Sequence, residues 1–395
     1  MENLKSDFLR FLGQTNPFPV ALNIDRAEGV FIYTSEGKRY FDLISGFSVS
    51  NTGHGNPKVK EAIKKQLDKY LHTMVYGEFV QAPQVEYAKL LCSVLPATLN
   101  QVFFVNSGTE AIEGALKLAK RQTGRSELIS FHKAYHGSTH GALSMMGDEK
   151  FKTAYRPLLP DTRLINFNQF EDLDKISERT AAVLVEPIQA EAGIIEPEND
   201  FLKALRQKCS QTGSILIFDE VQTGFGRTGS LFAFEQFDIV PDILVLAKAL
   251  GGGLPLGAFI SDNEIMSKLS HNPVLGHITT FGGHPLSCAA GKAALEVIID
   301  NKLANESGKM GQWILDNLNH PLILEKRGRG LFLGFKLPNA DYVNKMFKSC
   351  MNLGLLFDFY LFNNDSFRIA PPLTVSQSEL EEMLSLIIQS LNEIE

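Results

Sequence analysis

The sequence predicts an α/β protein with a mainly parallel sheet, followed by a smaller α+β unit. Three observations carry this. Short apolar runs at 102–105, 128–131, 181–185, 214–218 and 243–247 contain no charge, as expected of strands buried on both faces. Helical segments separate several of them, among them 110–121, with alanine and leucine at helical spacing, and 200–212, the alternation typical of α/β folds. Polar residues stand at strand ends: Asn106, Asp219 and Lys248. In such sheets, ligands gather beyond the carboxyl ends of the strands.

In chain order, Gly29 and Gly37 bracket an alternating stretch that reads as a hairpin. Helices are expected over 58–70 and over 85–94, the second stopping before Pro96. The strand–helix alternation follows. Pro285 opens another helix, after which come a strand at 330–335, a helix from Ala340, a strand at 366–369 and a last helix from Gln377. The expected units are 1–45 as an N-terminal segment of the small domain, 46–285 as the large domain, and 286–395 as the C-terminal part of the small domain.

The chain has 395 residues, 44% hydrophobic and 21% charged, enough for a large core. Its net charge of -7 leaves no basic surplus for phosphates, so nucleic acid is not expected as a partner. Cys92, Cys209, Cys288 and Cys350 are scattered without a Cys-x-x-Cys pair. Neither a metal site nor a disulfide framework is expected, and the thiols suit a reducing cytoplasm. The N-terminus lacks an apolar signal core, and no apolar stretch is long enough to cross a bilayer.

The chemistry starts at Lys248 and Asp219. A lysine amine and a carboxylate at neighbouring strand ends are the two groups pyridoxal 5'-phosphate (PLP) needs. The amine forms a Schiff base with the aldehyde, and the carboxylate keeps the ring nitrogen protonated. Either residue alone reads more simply as a surface lysine or a capping aspartate. Asn106-Ser107-Gly108-Thr109-Glu110 lies between a strand and a helix, where backbone N–H groups form an anion site suited to a phosphate; an ordinary N-cap is the plainer alternative. Tyr135 follows the next strand and can stack on a flat ring or be structural. His136 beside it is expected to organise its loop. Gly224-Phe-Gly226-Arg-Thr-Gly229 matches a dinucleotide pattern but does not open a helix, so that reading is rejected. Gly251-Gly-Gly253 permits tight turns beside a ligand, and Thr279-Thr280-Phe281-Gly282-Gly283 is a second stretch able to reach a phosphate.

Taken in order, these segments resemble the class III aminotransferases of PLP fold type I, the group of ornithine, acetylornithine and 4-aminobutyrate aminotransferases. The likeness runs from Gly37-Lys-Arg-Tyr-Phe-Asp42 to Arg368-Ile-Ala-Pro-Pro-Leu373. It is most specific at Phe218-Asp-Glu-Val-Gln-Thr-Gly-Phe-Gly-Arg-Thr-Gly229 and Ala247-Lys-Ala-Leu-Gly-Gly-Gly253. The resemblance implies Lys248 as the Schiff-base lysine and Asp219 as partner of the ring nitrogen. It implies Gln222 on the ring hydroxyl, Val221 and Tyr135 on the two ring faces, and Ser107, Gly108 and Thr109 at the phosphate. Thr280 would reach the phosphate of a neighbouring subunit, which implies a homodimer with shared active sites. Arg368 would hold the carboxylate of the acceptor, and Glu191 would pair with it when an ω-amino substrate is bound. The implied substrates are an amino donor and a 2-oxo acid, 2-oxoglutarate above all.

The chain departs from that family at several positions. Ser138 stands where the named enzymes carry a carboxylate-binding arginine, and Phe47 where ornithine enzymes have a tyrosine. Gln189-Ala-Glu-Ala-Gly193 replaces a glycine-richer run, and His284 replaces an asparagine. The donor is therefore open, with Arg156 as one residue able to restore the missing charge. Other activities on the same scaffold (aminomutase, racemase, decarboxylase) and a PLP-binding module without turnover stay as alternatives.

Overall fold

In the computed structural model, which describes residues 2–395, the chain folds around a seven-stranded sheet flanked by helices. The N-terminal segment forms β1 (Ile24–Glu28), β2 (Phe31–Thr34) and β3 (Arg39–Asp42), an antiparallel ribbon whose β2–β3 hairpin matches the expectation. Helix Pro57–Leu67 follows, capped by Asn56 with proline in its first turn, and then helix Ala82–Ser93.

The large sheet comprises β4 (Gln101–Val105), β5 (Glu127–Phe131), β6 (Thr162–Ile165), β7 (Thr180–Val185), β8 (Ile215–Asp219), β9 (Ile243–Leu246) and β10 (Gly257–Ser261). Its order is β4-β10-β9-β8-β7-β5-β6, and only β10 runs against its neighbours. Every residue of β5, β7, β8, β9 and β10 is buried, because helices cover both faces. Two strands carry weak sequence signals: β6 is four residues with a charged Arg163, and β10 begins at a glycine, with three residues between it and the Gly251–Gly253 turn.

Helix Pro285–Asp300 packs its alanines, Ala290, Ala293 and Ala294, on Val59, Ala62, Ile63 and Leu254. It thus lies against Pro57–Leu67 and the turn after Lys248. Beyond it, β11 (Glu325–Arg329), β12 (Phe332–Lys336) and β14 (Ser366–Ile369) form an antiparallel sheet. The short β13 (Leu355–Leu356) returns to β3 in parallel, so both ends of the chain share one sheet. Arg227 ties these parts together. It is fully buried and donates to the carbonyls of Leu331 and Pro371 and to Asn51 Oδ1. The glycine pattern around it is thus a buried loop rather than a helix-opening nucleotide turn.

Candidate active site

β4, β5, β7, β8 and β9 point the same way, so their carboxyl ends converge on one cavity of about 510 Å³. Asp219 is the last residue of β8. Lys248 lies two residues past β9 and opens a tight turn, Lys248–Gly251, with φ +53°. A left-handed backbone at a non-glycine residue is strained, and such strain concentrates at functional sites. The glycines beyond let a helix approach: a Cβ on Gly252 would lie 2.6 Å from the Ala290 carbonyl oxygen.

Burial pushes the Lys248 amine down to about 8, opposed in part by the Glu191 and Asp219 carboxylates. Its Nζ donates to Gln222 Oε1 at 3.2 Å. Asp219 is buried and held from both sides: Oδ1 accepts from the Val221 N–H at 3.0 Å, and Oδ2 from His136 Nδ1 at 2.7 Å. That leaves His136 Nε2 facing the Ser130 hydroxyl at 3.2 Å. His136 therefore does more than organise its loop: it fixes the aspartate. Local sequence cannot show this, because the partners are 83 residues apart.

The helix Gly108–Thr123 aims its N-terminus at the same cavity. Ser107 caps it, accepting from the Glu110 N–H, and Glu110 folds back onto Asn106. The first N–H groups and the positive end of the helix dipole there favour an anion. Gly108 is required by space: a Cβ would come within 3.0 Å of Val221 and 3.3 Å of Ala247.

Tyr135, Ser138, Val221, Gln222, Glu191, Ser107, Gly108 and Thr109 all line the cavity with Lys248 and Asp219. The Tyr135 hydroxyl is 3.3 Å from Ser138 Oγ. Arg368, on β14, is joined to the cavity through Glu191, its Nη2 donating to Oε1 at 2.8 Å. Arg368 Nε and Nη1 are buried without a partner. Phe47 sits in a left-handed turn with its ring centroid 5.7 Å from the Arg368 guanidinium carbon. Thr280 is exposed and does not line the cavity of its own chain. Arg156 pairs with Glu149 at 2.6 Å and does not line it either. Glu186, just past β7, also lines the cavity, and its position at a strand end is the same signal that marks Asp219. It accepts from the Tyr135 and Ala190 N–H groups, and burial, with Asp219 nearby, pushes its carboxyl well above the usual range.

A deprotonatable lysine, a clamped carboxylate and an anion-binding helix end on one cavity define the class of a PLP-dependent enzyme. The chain belongs to the class III aminotransferases: residues 13–391 match the Aminotransferase class-III family. It is 39% identical over 380 residues to an acetylornithine aminotransferase from Methanopyrus kandleri, covering 95% of each chain. Its structure superposes on the acetylornithine aminotransferase of Elizabethkingia anophelis with a TM-score of 0.86 at 33% identity, covering 99% of both chains. An ornithine aminotransferase from Toxoplasma gondii, crystallised with partial occupancy of PLP at its active site, gives a TM-score of 0.92 at 29% identity. That match covers 100% of this chain and 94% of the other. The protein is an enzyme that uses PLP to move an amino group between small molecules. The site fits that cofactor: Gln222 Nε2 is buried without a partner, and the donors of the Gly108 helix suit its phosphate.

Proposed function

We propose that the enzyme transfers an amino group from an ω-amine or amino-acid donor of the acetylornithine, ornithine or 4-aminobutyrate type to a 2-oxo acid, 2-oxoglutarate first among them. The observation that carries this is the convergence of Lys248, Asp219 and the Gly108 helix end on one cavity, with Arg368 paired to Glu191 at its border. When bound, PLP supplies an aldehyde for the donor nitrogen and a ring that takes up electrons from the donor carbon. Lys248 would hold the cofactor, and its amine, pushed down to about 8 by burial, would serve as general base toward the donor carbon. Asp219, oriented by His136, holds the proton on the ring nitrogen. Gln222 would meet the ring hydroxyl, Val221 and Tyr135 would pack against the ring, and Ser107, Gly108 and Thr109 would hold the phosphate, all of them lining the cavity. In this reading Thr280 completes the phosphate site of a second subunit, and its exposure supports that role.

Arg368 receives the acceptor carboxylate. Its Nε and Nη1 lack partners, and once Glu191 leaves Nη2, either of them completes with Nη2 the two-pronged edge that matches a carboxylate, which supports the assignment. Glu191 covers the charge while the donor is bound. On the donor side, Ser138 contributes a neutral hydrogen bond worth about 1 kcal/mol where a guanidinium would give about 1.5–3. Among the described residues no arginine lines the cavity itself, and the one joined to it, through Glu191, is Arg368 on the acceptor side of this reading. An N-acylated diamino acid or a less polar ω-amine therefore suits the site better than free ornithine. The four free cysteines fit a cytoplasmic enzyme.

The test is a donor panel against the PLP form, following its conversion to the pyridoxamine form. Acetylornithine and an uncharged-tail amine should exceed ornithine and 4-aminobutyrate in kcat/KM. Efficient use of 4-aminobutyrate, with Arg156→Ala harmless, would contradict the reading of Ser138. Nitrogen that never reaches an added oxo acid would point instead to a mutase, racemase or decarboxylase.

A further inference from the structure

Arg368 is held by one hydrogen bond to Glu191 Oε1, while its Nε and Nη1 are buried without partners. Its guanidinium carbon lies 4.6 Å from the ring centroid of Tyr360. Tyr360 is itself buried; its hydroxyl makes no hydrogen bond of good geometry, but it lies close enough to Arg368 for the guanidinium to oppose the burial that pushes the phenol up to about 12. Gly334, opposite Arg368 in the β12–β14 ladder, makes room for it: a Cβ there would lie 2.9 Å from the Tyr360 hydroxyl. The segment that carries the tyrosine is tied to the same glutamate. The Leu361 N–H donates to Glu191 Oε2 at 3.1 Å, and the Phe362 N–H to the Glu191 carbonyl at 3.1 Å. One carboxylate thus fixes both the guanidinium and the segment beside it.

We propose that Tyr360 is a positioning residue that keeps Arg368 aimed at the acceptor carboxylate when Glu191 withdraws. This rests on the reading that Arg368 binds the acceptor. Withdrawal removes the one side-chain hydrogen bond that orients the guanidinium, and it frees the Leu361 N–H at the same moment. A flat cation against an aromatic face keeps its plane without any hydrogen bond, because the ring quadrupole attracts it wherever it lies over the face. The incoming carboxylate then has two sets of donors arranged as Glu191 had them, the guanidinium and the Leu361 N–H. Tyr360 is a specificity determinant for acceptors bearing a carboxylate, and it has little part in donor binding.

The experiment compares Tyr360→Leu, Tyr360→Met and Tyr360→Phe with Arg368→Ala, all as PLP-loaded enzyme. The two half-reactions are measured separately, and glutarate, an unreactive dicarboxylate, is titrated by calorimetry. Loss of the ring should weaken glutarate binding and raise the 2-oxoglutarate KM about ten- to thirty-fold, the equivalent of a desolvated cation–π contact of about 2 kcal/mol. Turnover and the donor KM should change far less, and Tyr360→Phe should restore most of the loss. Methionine fills the space without a ring, so it decides the matter if the leucine variant does not fold. Equal effects on both half-reactions, or unaltered glutarate binding, overturn the role of Tyr360. Unaltered 2-oxoglutarate kinetics in Arg368→Ala overturn the underlying reading as well.

Discussion

Replacing Asp219 by asparagine isolates one charge in an otherwise unchanged site. Asp219 is 6% exposed, so solvent screens it little. Asparagine is isosteric. Its oxygen can still accept from the Val221 N–H, and its amide can face His136 if that ring takes the tautomer whose proton points to Ser130. What disappears is the negative charge that, in the proposed reading, holds the ring-nitrogen proton. A carboxylate at hydrogen-bond distance raises a neighbour's pKa by about 1–3 units, or about 1.4–4 kcal/mol. Loss of a preorganised electrostatic group of this kind slows turnover by about 10²–10³. The assay is single-turnover conversion of the PLP form to the pyridoxamine form by stopped-flow absorbance. The melting temperature of the cofactor-free protein should fall by less than about 4 °C, since the isosteric amide still accepts from the Val221 N–H. A half-reaction within threefold of wild type, with PLP still bound, would refute the electrostatic role and place the proton on another partner.

Three further outcomes are expected. Borohydride should fix PLP on Lys248, and the capture of PLP by the cofactor-free protein should accelerate as pH rises through about 8, where the amine loses its proton; labelling at another lysine, or a flat profile from pH 6 to 10, counts against the assignment. Glu191→Ala leaves the buried Arg368 uncompensated and should cost about 3–5 kcal/mol of stability, while slowing the donor half-reaction more than the acceptor half-reaction; chemical denaturation and separated half-reactions check both. The active form should be a two-fold dimer by light scattering, and Thr280→Ala should weaken PLP retention without dissociating it; a fully active monomer would remove Thr280 from the site.

Much of the fold was legible because it is local. An uncharged run such as β8 or β9 states that both faces are buried, and a polar residue at its end states where a site can form. Lys248, Asp219 and the Ser107–Gly108–Thr109 helix start were singled out in this way, and the structure brings them to one cavity. The sequence alone therefore determined the alternation of strands and helices, which residues are proposed to hold a phosphate and an aldehyde, and, through its motifs, the family. It did not determine strand order, the reversal of β10, or the pairing of β3 with β13, since a strand's own residues do not encode which neighbour it meets. Nor did it reveal His136 against Asp219, or Tyr360 against Arg368. The first contact spans 83 residues, and in the second a buried tyrosine reads like any other core aromatic. Such contacts exist only once the strands and the loops beyond them have packed together, so tertiary packing decides them.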